Sequence, residues 1–85
     1  MKIRITYCNM WNYKPKAQVV AVELRNSFGG RFPYGVDVDL QEGSSGVFDV
    51  MLLGDGYDTP DRIVFSKHIK GRFPEEGEIT KLLNK

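Results

Sequence analysis

Eighty-five residues with 12 Lys+Arg, 11 Asp+Glu, one Cys and one His leave room for one small core, and they exclude an intramolecular disulfide or a four-ligand zinc site of thiolates and imidazoles. A hydrophobic share of 41% is ordinary for a globular chain, and the apolar runs Ala17 to Val22 and Val47 to Leu53 fall far short of the roughly 20 residues of a membrane helix. The net charge of +1 lacks the basic surplus of a nucleic-acid binder, so the expected partners include neither nucleic acid nor a membrane.

In chain order, Lys2-Ile3-Arg4-Ile5-Thr6-Tyr7 alternates apolar and polar side chains and reads as a strand that delivers Cys8 at its C-terminal end. Pro15 suits a first helical turn, and Ala17, Val20, Ala21, Leu24 and Phe28 then recur every three or four residues, which predicts a helix ending at Gly29-Gly30. Val36, Val38 and Leu40 alternate with Asp37, Asp39 and Gln41, a second strand with one wet face. Glu42 to Gly46 is a turn. The run Val47 to Leu53 is too short and too β-branched for a helix and reads as a central strand, while the acidic stretch Gly54 to Asp61 joins it to a fourth strand, Arg62 to Ser66. Lys67 to Phe73 is expected to be a loop. Pro74 with Glu75, Glu76 and Glu78 places the start of a last helix ahead of Ile79, Leu82 and Leu83.

The order β-α-β-β-β-α in one domain, residues 1–85, demands a parallel first pair with a right-handed crossover, followed by antiparallel neighbours. The expected fold is a two-layer α/β arrangement, thioredoxin-like, with a mixed four-stranded sheet in the order 2-1-3-4. That order brings Cys8 to Tyr13, Gly43 to Gly46 and Lys67 to Phe73 to one end of the sheet and sends the acidic loop 54–61 to the other. Charge follows the same division. Residues 1–34 carry six basic side chains and one acidic, residues 35–61 carry seven acidic and no basic, and residues 62–85 carry six basic and three acidic. The N-terminus has no charged and apolar blocks of an export signal, so a cytoplasmic, reducing compartment is expected.

Three ordered stretches carry a closer likeness: Lys2 to Cys8 with Tyr13-Lys14-Pro15-Lys16-Ala17; Ser45-Gly46-Val47-Phe48-Asp49-Val50; and Phe65-Ser66-Lys67 with Gly71-Arg72-Phe73-Pro74-Glu75-Glu76-Gly77-Glu78-Ile79. In these the chain resembles the selenoprotein W family, also called Rdx-type proteins, from end to end. Members have Cys-x-x-Sec or Cys-x-x-Cys directly after the first strand and look like glutathione- or thioredoxin-linked redox proteins. Here the stretch is Cys8-Asn9-Met10-Trp11, so the first position is kept and Trp11 stands where the selenocysteine or second cysteine belongs. The resemblance implies that the lost group is the attacking one and the retained Cys8 the resolving one.

Cys8 can still act alone as a redox thiol. The thiolate is the working form, and helix N-termini and cations such as Lys14 or Lys16 stabilise thiolates. With no second thiol, a mixed disulfide on Cys8 must be cleared by outside glutathione, a co-substrate rather than a resident cofactor, or by a thioredoxin-type reductant. The competing reading is a half-buried, unreactive cysteine at a strand end. Trp11, with Met10 and Tyr13, either presents an aromatic surface to a protein partner or folds back onto the helix. Lys67, His68, Lys70 and Arg72 are either cationic contacts for the carboxylates of glutathione or a solvated charge run. Ser45 and Gly46 stand where thioredoxins place a cis-proline, and a plain hairpin turn accounts for them equally well. Cys8 and His68 supply two metal ligands at most, so no metal is expected. Two functions therefore stand side by side: a redox protein working through Cys8, and a non-catalytic interaction module working through the Trp11 surface.

Overall fold

The computed structural model describes residues 2–29, 35–54 and 58–84. Its elements are β1 (Lys2–Cys8), α1 (Tyr13–Phe28), β2 (Asp37–Gly43), β3 (Phe48–Leu53), β4 (Arg62–Ser66), α2 (Lys67–Lys70) and α3 (Glu78–Leu83). The sheet order is β2-β1-β3-β4, with β1 parallel to β2 and antiparallel to β3, and β3 antiparallel to β4. This is the expected thioredoxin-like topology.

Alternation along each strand decides what is buried. Ile3, Ile5 and Tyr7 of β1 join Val38 of β2, Phe48 and Val50 of β3 and Phe65 of β4 on one face. Ala17, Val20, Ala21, Leu24 and Phe28 of α1 and Ile79 of α3 close over that face in one continuous core. The helical spacing of apolar residues in α1 is thus its buried stripe, and Tyr13 extends it by one turn. The opposite parity, Arg4, Thr6, Asp39, Gln41, Asp49 and Met51, occupies the other face, where Arg4 pairs with Asp39 at 3.5 Å.

Several boundaries differ from the sequence-based expectation for local reasons. β1 runs through Cys8 and β2 through Glu42 and Gly43, because parallel pairing continues from Tyr7↔Glu42 to Cys8↔Gly43. A Cβ at 43 would lie 2.5 Å from Thr6 Cγ2 and 2.8 Å from Val47 Cγ1, so glycine fits here without displacing either side chain. α1 begins two residues before Pro15, which still falls in the first turn, where a backbone N–H has no partner within the helix. The expected 67–73 loop opens with the single turn α2, which ends at Gly71 in the left-handed region (φ 76°), its N–H donating to the Lys67 carbonyl at 2.7 Å. α3 starts at Glu78 rather than Pro74 because Gly77, at φ 79°, cannot sit inside a right-handed helix. Gly30 and residues 55–57 of the acidic loop lie outside the described residues. The ends of that loop meet, with the Gly54 N–H donating to Asp61 Oδ1 at 2.7 Å. Leu53 pairs with Lys2, which sets this connection at the end of β1 away from Cys8. Among the described residues no helix is long and apolar enough to cross a membrane.

Candidate functional site around Cys8

The C-terminal end of β1 gathers the three segments that the sheet order brings together. Cys8 donates its N–H to the Val47 carbonyl at 2.8 Å, and Val47 in turn donates to Ser44 at 3.2 Å, closing the 44–47 turn beside it. Ser45 is exposed on that turn, and Gly46 takes φ 78°. On the other side the chain reverses through Trp11 (φ 53°) and Asn12 (φ 63°), two consecutive left-handed residues other than glycine, before Tyr13 N–H donates to the Met10 carbonyl at 3.3 Å. A left-handed turn costs a bulky residue about 1–2 kcal/mol, so this turn is held by its surroundings rather than by local preference.

Cys8 itself is 1% exposed. Trp11 is 67% and Met10 49% exposed, so the indole does not fold back onto α1 but stands in water over the turn. Position 11 lies outside the core while position 8 lies within it.

The third segment arrives through an aromatic contact. Phe73 meets Tyr13 edge-on with ring centroids 4.8 Å apart and Phe48 edge-on at 5.3 Å, so it bridges α1 and β3. Cations lie over Phe73, Tyr13 and Phe65. Lys16 Nζ sits 4.7 Å from the Phe73 centroid, Lys67 Nζ sits 5.5 Å from it and 5.7 Å from that of Tyr13, and the Arg72 guanidinium sits 5.7 Å from that of Phe65. Sequence reasoning named Lys67 and Arg72 but gave no role to Phe73, the ring beneath Lys16 and Lys67. Residues 13, 48 and 73 are far apart in the chain, and only the sheet order makes them neighbours.

Arg72 and Lys67 differ in one respect. Arg72 is engaged in a fork, Nη1 and Nη2 donating to Glu78 Oε1 and Oε2 at 2.7 and 3.0 Å, and this hydrogen-bonded pairing raises its pKa further above the ordinary value. Glu78 also accepts the Glu75 N–H at 2.9 Å, and the Arg72 bonds together with that backbone bond pull its carboxyl down to about 2. Lys67 has no carboxylate partner among the described residues. His68 is exposed on α2, and no group of three His, Cys, Asp or Glu among the described residues could hold a metal ion.

At 1% exposure Cys8 matches the unreactive strand-end reading, and thiol exchange there requires the chain over it to move. A model of the Rdx family matches residues 2–85 of the chain. No curated protein sequence matches it. Among solved structures, a protein from Bordetella parapertussis superposes with a TM-score of 0.75 at 24% identity, covering 98% of this chain and 92% of that one. A selenoprotein W-related protein from Vibrio cholerae also gives 0.75, at 22% identity and 98% and 91% coverage. Likeness at that level of identity speaks for the fold.

Proposed function

Because the chain belongs to the Rdx family, we propose that it is a thiol redox protein in which Cys8 forms reversible mixed disulfides with glutathione or with a protein thiol. Family membership points to thiol redox chemistry in general, and the placement of Cys8 directly before the turn into α1 supports the finer reading. Cys8 is 1% exposed, so the chain over it must first move; its thiolate then attacks one sulfur of a disulfide, the S–S bond breaks, and the departing thiolate takes up a proton. A second thiol, from glutathione or a thioredoxin-type reductant, then attacks the mixed disulfide and releases Cys8. No electron is left over, and the cycle needs no resident cofactor or metal. A reducing compartment such as the cytoplasm supplies those thiols. Ser45 and Gly46 belong to the turn that ends at Val47, whose carbonyl accepts the Cys8 N–H, and in this reading Lys67 and Arg72 are cationic contacts for the carboxylates of glutathione.

Treatment with oxidised glutathione followed by mass spectrometry tests this. Wild type is expected to gain one glutathionyl group and Cys8→Ser none. Absence of an adduct on wild type, under conditions that modify ordinary thiols, sinks the redox reading.

The exposure of Trp11 and Met10 favours a second reading, in which the same end of the fold binds a protein without catalysis. Under it, Trp11→Ala abolishes partner capture while Cys8→Ser leaves it intact.

A further inference from the structure

The buried stripe of α1 is Tyr13, Ala17, Val20, Ala21, Leu24 and Phe28, and two further valines lie off it. Val19 is 67% and Val22 52% exposed, neighbours one turn apart on the same flank of the helix. A β-branched residue in a wet helical position gains neither propensity nor burial. Single exposed apolar side chains are ordinary, but these two are continuous with a second apolar wall. They line an open groove of about 800 Å³ whose opposite side includes the half-buried Phe73 and Pro74. Two contacts hold the walls in register: Lys16 Nζ stands 4.7 Å from the Phe73 centroid, and Glu23 accepts the Gly77 N–H at 2.9 Å. The segment from Phe73 to Gly77 thus runs alongside α1 in the same direction, and Glu76, the residue before Gly77, lies at the level of Glu23.

The groove therefore has a cation at one end and a carboxylate at the other, with apolar surface between them. Lys16 and Glu76 both line it, both are exposed, and neither has an ion-pair partner among the described residues. Their levels are about 10 Å apart along the helix axis. Turned end for end, the order cation, valine, valine, carboxylate becomes its own complement, which is the condition for a twofold interface between identical surfaces.

We propose that this groove is the interface of a homodimer in which the two α1 helices lie antiparallel across a twofold axis centred between Val19 and Val22. Val19 of each copy packs on Val22 of the other, and Lys16 of each meets Glu76 of the other. Neither Cys8 nor Trp11 lines the groove, so the dimer is independent of the redox reading. The patch is small, and the association is a weak one, with a Kd of about 10–100 μM.

Sedimentation equilibrium from about 10 μM to about 1 mM, with reductant present to exclude a disulfide between copies, tests this. Wild type is expected to shift from one chain to two across that range. Val19→Glu weakens the dimer about a hundredfold, because it removes apolar contact and places a charge there twice. Ile69→Glu, which replaces a 75% exposed apolar residue on α2 outside the groove, leaves it unchanged. Lys16→Glu or Glu76→Lys alone weakens it about tenfold, since each interface holds the pair twice, and the two together restore it. This charge exchange carries the test should Val19→Glu unfold. A chain that stays monomeric at about 1 mM overturns the proposal and leaves the groove to a foreign peptide or a small apolar ligand. A dimer that tolerates Val19→Glu, or that the charge exchange fails to restore, overturns it as well.

Discussion

Glu78 accepts three hydrogen bonds, two from Arg72 and one from the Glu75 backbone, and its carboxyl titrates near 2 instead of the ordinary 4.5. The folded state therefore holds fewer protons at this group than the unfolded chain between those two values. The stabilisation is complete above about pH 4.5 and is lost as pH falls through about 2. Urea unfolding of wild type and Glu78→Gln across that range is expected to show a gap at pH 7 that narrows below pH 4.5 and closes near pH 2. A gap that stays constant with pH would assign the effect to packing instead. In the sequence Glu78 is legible as an acid near the start of a last helix, but the fork is not. Arg72 lies six residues earlier, and the two meet only because Gly71 and Gly77 both turn through the left-handed region. Cys8 is legible as the thiol at a strand end, whereas its burial depends on Val47 and α1, which the linear sequence does not place beside it.

At the scale of elements, what could be read in advance was what repeats. The alternation Ile3, Ile5 and the three- and four-residue spacing from Ala17 to Phe28 each mark a face that is buried in the fold. α2 has four residues and therefore no period to detect, and it exists because Gly71 can close a single turn. The β1–α1 connection carries two left-handed residues in a row, and nothing in Trp11 or Asn12 as residue types announces that for a tryptophan. This turn keeps positions 8 and 11 close in the chain on the two sides of a reversal. Trp11→Cys is accordingly expected to give a pair that mild oxidant converts from two titratable thiols to none. Retention of both thiols would count against the geometry of the turn. The β1–β2 pairing makes an independent demand at its far end, where Gly43→Ala pushes a methyl group into Thr6 and Val47. Overpacking of this kind costs about 1–3 kcal/mol, a fall in Tm of about 4–8 °C per kcal/mol for a domain of this size, readable by thermal melts.

For the whole molecule, a single core serves both layers. Phe48 is fully buried, pairs with Tyr7 across β1, packs on Phe73 and belongs to the cluster that α1 and α3 cover. Phe48→Ala is expected to cost about 3–5 kcal/mol. Total stability for a chain of this length is of order 5–10 kcal/mol, so the variant should show a large loss of denaturant midpoint and weakened protection of the 71–78 segment. A loss below about 1 kcal/mol would contradict the central place given to this ring.

α1 and α3 close over one face of the sheet, and this fixes where the chain can change length. In β1 the odd-numbered residues Ile3, Ile5 and Tyr7 are core, and Arg4 and Thr6 face away from it. Deleting one residue inside β1 would exchange the two sets, burying Arg4 while presenting Ile3 and Ile5 to water, and the chain would not fold. Adding two residues between Asp58 and Thr59 touches no ladder pair, and lengthening a loop is thermodynamically mild, with each doubling costing about 0.6 kcal/mol. Insertions and deletions among relatives should therefore collect in the connection between β3 and β4 and stay out of the strand that ends at Cys8.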